Sequence, residues 1–125
     1  MTAVVFDAAA MIALDRRDTR MLALADELHR ERRVAYVPVG VVAQTWRGSP
    51  HQHATIRLLR AEAVCVDPLS EEVAYRVGLL LAMSGASDVV DAHVVLLARR
   101  MGAIVLTSDP DNIAALDPTL TLVTV

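Results

Sequence analysis

Apolar residues fall in two alternating patterns along this chain: short runs rich in Val, Ile and Leu, and longer stretches with apolar positions three or four apart. The first pattern marks buried strands, and the second marks helices with one inward face. Strands are predicted at residues 2–6, 34–37, 64–66, 103–106 and 119–125. Helices are predicted at residues 8–14, 18–33, 39–47, 52–62, 70–84 and 89–101, and Asp109-Pro110 opens a further short one. In the second helix Met21, Leu22, Ala25 and Leu28 share a face, and in the fourth Ile56 and Leu59 point inward together with Ala63. Ser70 is placed to cap a helix whose first turn carries Glu71 and Glu72, and Gly85 supplies its left-handed stop. Gly102 ends the following helix, and Pro110 occupies the favoured first helical position.

Strands that alternate with helices predict an α/β fold: a mostly parallel sheet with helices on both sides. The chain shows no linker, repeat or low-complexity tract, so a single domain over residues 1–125 is expected. In such sheets ligands sit beyond the carboxyl ends of the strands. Chemistry is therefore sought there.

Composition narrows the picture. Hydrophobic residues make up 54% of the 125, which excludes a disordered chain and suffices for a core. Aromatics are only 3%, so that core is aliphatic, as suits a sheet buried on both faces. A net charge of −3 argues against a protein that coats nucleic acid indiscriminately. It remains compatible with a nuclease, whose metal-binding carboxylates add negative charge that cations neutralise. All 12 basic residues are Arg; genomic base composition explains that bias, although Arg also suits bidentate contact with phosphate. Cys65 is the only cysteine, so no intrachain disulfide forms, and it reads as a small apolar residue buried in a strand. No run approaches the length of a membrane span, and no basic segment precedes the first apolar run. No membrane partner and no signal peptide are expected, and the cytoplasm is the default location.

Three aspartates stand out. Asp7 follows the first strand, Asp109 follows the fourth, and Asp91 lies in the first turn of the helix that precedes the fourth strand. A parallel sheet brings all three to one rim, where like charges repel unless a cation holds them. Oxygen ligands suit Mg²⁺ or Mn²⁺, and no Cys/His arrangement suggests zinc. Each aspartate also has a capping role open to it: Asp7 and Asp109 precede helices, and Asp88 and Asp91 are spaced like a capping box. Capping leaves unexplained why all three fall on one edge.

At these residues the chain resembles the PIN-domain family, and within it the VapC-type toxins of toxin–antitoxin pairs. The resemblance spans essentially the whole chain. It rests on Val5-Phe6-Asp7-Ala8, on Val37-Pro38 followed by Val41-Val42-Ala43-Gln44-Thr45-Trp46-Arg47-Gly48, on Ser87-Asp88-Val89-Val90-Asp91-Ala92-His93, and on Thr107-Ser108-Asp109-Pro110-Asp111. It implies a five-stranded parallel sheet in three α/β/α layers, and metal-dependent cleavage of RNA, tRNA or rRNA, leaving a 5′-phosphate and a 3′-hydroxyl. Asp7, Asp91 and Asp109 match the family's first, third and fourth acidic positions, and Asp111 an extra acid of some members. Gln44 stands where most members carry Glu; it keeps the length and one acceptor oxygen but loses the charge. The resemblance also implies a small antitoxin that inserts an Arg into the acidic site, and a two-fold homodimer.

Arg47, Arg16 and Arg17 are candidates for RNA contact, and Thr107 or Ser108 for a hydrogen bond to a ligand or phosphate. Trp46 reads as an anchor in the core or at an interface, and His93 as a helix residue rather than a ligand. Arg30, Arg32, Arg33, Arg99 and Arg100 fit helix ends without any ligand. Three rival readings remain. One is a degenerate PIN domain that binds RNA or antitoxin without cutting, which Gln44 favours. A receiver-like domain wants a Lys near its acids, and this chain has none. A phosphatase wants a second acid after Asp7, where Ala8-Ala9 stand.

Overall fold

The computed structural model describes residues 2–125. It has five strands, β1 (Val4–Phe6), β2 (Ala35–Pro38), β3 (Val64–Asp67), β4 (Ile104–Thr107) and β5 (Leu122–Thr124). Around them lie seven helices: α1 (Ala8–Asp15), α2 (Thr19–Arg30), α3 (Val39–Thr45), α4 (His53–Leu59), α5 (Glu71–Ser84), α6 (Val89–Met101) and α7 (Pro110–Leu116). The strands form one sheet in the order β3-β2-β1-β4-β5, every pairing parallel.

That order places the helices. Chain travel from β1 through β2 to β3 steps one way across the sheet, then jumps back past β1 to β4 and continues to β5. Right-handed crossovers send α1–α4 to one face and α5–α7 to the other. The packing agrees: α1 touches α2, α3 and α4, whereas α6 touches α5 and α7. The order reverses between β1 and β4, and at their carboxyl ends the two directions of travel leave a crevice.

The core follows from the sheet's centre. Val4, Val5 and Phe6 of β1 are fully covered, as are Val105 of β4 and Val37 of β2. Met11, Met21, Val41, Val94, Val95, Leu97 and Ile113 close on them from both sides. Capping fixes several helix starts. Asp18 Oδ2 accepts from Met21 N–H at 2.9 Å, and Ser70 Oγ from Val73 N–H at 3.2 Å. Gly85 and Gly102 end α5 and α6 at φ 72° and 59°, the left-handed stops expected of them.

Some expectations are corrected. Cys65 is exposed, not buried, because β3 is an edge strand and Cys65 and Val66 have no covering layer. Leu22 stays 39% exposed, since α2 buries mainly Met21 and Leu28. The fourth helix is shorter than residues 52–62; Thr55 is its fully buried residue, while Ile56, Leu59 and Ala63 are only half-buried. Polar chemistry explains this: Thr55 Oγ1 donates to Asp15, and Gln52 Nε2 donates to Asp15 Oδ2 at 2.7 Å and to the Thr45 carbonyl at 2.8 Å. Gln52 and Thr55 thus tie the ends of α1, α3 and α4 together. Trp46 is 38% exposed and is not a core anchor.

Candidate metal and active site

Asp7, Gln44, Asp88, Asp91, Asp109 and Asn112 line one cavity of about 180 Å³, with Ala8 and Ala9 completing its wall. Its position follows from the topology. Asp7 leaves the carboxyl end of β1, Asp109 follows β4, and these are the strands at which the order reverses. Helix α6 runs back towards the start of β4, so its first turn, with Asp88 and Asp91, lies at the same edge. Gln44 arrives on α3, which begins directly after β2. Helices α3 and α6 approach closely: a Cβ on Gly40 would lie 2.9 Å from Val90 Cγ2.

Capping accounts for two of the acids only in part. Asp7 Oδ1 accepts from Ala10 N–H at 2.8 Å, and Asp88 Oδ1 from Asp91 N–H at 2.9 Å. The side chain of Asp109 makes no cap bond; its Oδ2 accepts from Asn112 Nδ2 at 2.6 Å. The Asp88/Asp91 capping box is half made, since among the described residues no bond returns from the Asp91 carboxylate to the Asp88 N–H.

The electrostatics show a site crowded with like charge. Asp91 is pushed up to about 6, first by burial and then by the charges of Asp88, Asp7 and Asp109. Asp7 is also raised, chiefly by burial and further by Asp109, against the pull of hydrogen bonds from Thr107 and the α1 backbone. No Arg or His lines the cavity. A cation there would relieve that repulsion.

The donor set fits a hard divalent ion: carboxylate oxygens, with the amide oxygens of Gln44 and Asn112. Among the described residues no three His, Cys, Asp or Glu groups converge closely enough to enclose an ion by themselves. About 180 Å³ is room for an ion together with several waters, each of which takes about 30 Å³ in the liquid. The space therefore suits an ion held by one or two carboxylates with water between it and the rest, the usual habit of Mg²⁺.

Other predicted residues fall outside. Asp111 is exposed on the first turn of α7 and does not line the cavity. Thr107 is fully buried; its Oγ1 accepts from Asp109 N–H at 2.9 Å, so it supports the site from beneath rather than meeting a ligand. Arg16 caps the far end of α1, about 14 Å along the helix from Asp7. Arg17 follows it, at φ 56°. Arg47 is exposed three residues beyond Gln44, and its Nη1 donates to the Ala43 and Trp46 carbonyls at 3.1 and 2.8 Å. His93 is buried against Asp67, Nε2 to Oδ2 at 2.8 Å, and is no part of this cavity. Asn112 was missed by sequence reasoning; its place three residues after Asp109 at a helix start was the available signal.

Comparison with known proteins adds the fold. No family model and no curated protein matches the chain. Solved structures do. The crystal structure of VapBC2 from Rickettsia felis bound to a DNA fragment from their promoter contains a similar chain, with TM-score 0.67 and 12% identity over 99% of each chain. The structure of FitAB bound to an IR36 DNA fragment matches at TM-score 0.66 and 17% identity, over 97% of this chain and 94% of the other. FitAcB from Neisseria gonorrhoeae matches at 0.61 and 17%, over 95% of each chain. At such identities the likeness is one of fold: the PIN-like three-layer α/β/α architecture is present over nearly the whole chain.

Proposed function

We propose that this protein is a metal-dependent endoribonuclease of the toxin–antitoxin type, cutting tRNA or rRNA in the cytoplasm. The observation that carries the reading is the cavity at the strand-order reversal, walled by Asp7, Asp88, Asp91 and Asp109 and without a basic side chain among its lining residues. Mg²⁺ or Mn²⁺ bound there would supply positive charge for the scissile phosphate and make a water acidic enough to attack it. Asp7 and Asp91 are the principal holders, because burial and mutual repulsion leave both in want of positive charge. Asp109, steadied by Asn112, faces them from the other strand, and the uncharged Gln44 can orient a water through its amide oxygen. Thr107 fixes the loop that carries Asp109. Arg47, exposed beside Gln44, is the residue best placed to meet the RNA backbone.

The partner follows by analogy. VapBC2 and FitAB are complexes that bind DNA. By that likeness this chain takes a small antitoxin, whose cationic side chain would answer the acidic cavity. A homodimer is proposed on α5, where Tyr75, Leu79 and Met83 are 68%, 65% and 86% exposed on one stripe. Glu72 and Arg76 pair with each other beside it at 2.9 Å. Light scattering that shows monomer at every concentration overturns the dimer. Among the described residues no single helix is long and apolar enough to cross a membrane.

The deciding experiment is cleavage of total RNA and of a tRNA pool by the purified protein with Mg²⁺ or Mn²⁺, against EDTA and an Asp91→Asn control. Cleavage that needs both the metal and Asp91, with 5′-phosphate products, is expected. Full activity in Asp91→Asn overturns the assignment. A second reading, a domain that binds RNA or antitoxin without cutting, is favoured by the neutral Gln44 in an otherwise acidic wall. A folded but inactive protein that gains cleavage on Gln44→Glu would establish it.

A further inference from the structure

We propose that Asp88 is a working carboxylate of the cation site and not only a helix cap, and that positions 88 and 44 are interchangeable carriers of one negative charge there. The inference rests on the metal-site reading above. Three observations carry it. Asp88 lines the cavity together with Asp7, Asp91 and Asp109. Its Oδ1 is engaged by the Asp91 N–H at 2.9 Å, which fixes the carboxylate's orientation, while its Oδ2 meets no donor among the described residues. Gln44 lines the same cavity from α3, and α3 and α6 touch at Gly40 and Val90, so the two positions lie on adjoining walls. A cavity of about 180 Å³ leaves room for an ion that keeps part of its water between the two walls.

A cap alone would make a different prediction. Asn caps a helix about as well as Asp, so Asp88→Asn keeps the cap acceptor and removes only the charge. Gln44→Glu has the same length as the residue it replaces and adds a charge on the adjoining wall. The experiment measures Mn²⁺ binding by titration calorimetry and by loss of the free-ion paramagnetic resonance signal, on the full chain, for the parent, Asp88→Asn, Gln44→Glu and the double variant. Circular dichroism confirms that each is folded.

Asp88→Asn is expected to weaken Mn²⁺ binding about 10-fold or more, the scale on which groups around a bound metal act. The double variant is expected to return to within about 3-fold of the parent, so that Gln44→Glu gains more without Asp88 than with it. Unchanged Mn²⁺ affinity in Asp88→Asn, or a Gln44→Glu gain independent of residue 88, overturns this inference alone. No Mn²⁺ binding by the parent removes the metal-site reading and this inference with it.

Discussion

An acid that serves a cation site destabilises the protein without the cation, and Asp91→Asn measures by how much. In the folded protein Asp91 is raised from 3.8 to about 6, so its stabilising contribution is complete below 3.8 and is lost as pH rises through about 6. Two pKa units correspond to about 3 kcal/mol. Asp91 is only partly covered, so screening by solvent reduces that to about 1.5 kcal/mol. Asn removes the cost of burying this charge, and then the repulsion from Asp88, Asp7 and Asp109, but also gives up a negative charge in the first turn of α6, a loss of about 0.5 kcal/mol. The balance favours the variant by about 1 kcal/mol at alkaline pH, or about 4 °C in Tm for a chain of this size. The assay is thermal unfolding followed by circular dichroism in EDTA, at pH values below 3.8 and well above 6. The variant should match the parent at the acid end and exceed it at the alkaline end. Added Mg²⁺ should then raise the parent's Tm and leave the variant's unchanged. A variant less stable than the parent at alkaline pH, or a gain that ignores pH, would refute the reasoning.

Other expected outcomes test the frame around the site. Gly40→Ala usually stabilises a helix, but here its Cβ would press on Val90, and a net loss of about 1 kcal/mol is expected in chemical denaturation; Val90→Ala in the same chain should abolish the loss. Asp117 is buried and accepts from Arg99 Nε at 2.6 Å and from Thr119 N–H and Oγ1 at 2.9 and 2.6 Å. Asp117→Ala should therefore cost about 1–3 kcal/mol near neutral pH, as a urea midpoint would show. Its carboxyl is held below the ordinary value of 3.8, first by the Thr119 hydroxyl, so its contribution is present above 3.8 and fades as pH falls below it. Phe6→Ala, at the fully buried centre of β1, should cost about 3–5 kcal/mol.

Sequence alone determined the element order, the parallel sheet, the helix stops at Gly85 and Gly102, and the placing of Asp7 and Asp109 after strands and of Asp91 at a helix start. These are legible because periodicity, caps and glycine conformations act over a few residues. The direction in which each aspartate's remaining oxygen points is not local. Asp109 was open to a capping role, yet its carboxylate is turned to Asn112 and the cavity. Thr107 carries the right hydroxyl for a ligand contact, but the packing of β4 between β1 and β5 seals it beneath the site. Cys65 sits in an apolar run that reads as buried, and only the sheet order shows that its strand is an edge. Arg16 is nine residues from Asp7 in sequence, and the helix between them carries it away from the rim. Local rules fix which residues begin and end each element. Which side chains then share a space depends on the order in which strands pair, and that was decided by burial of the whole sheet at once.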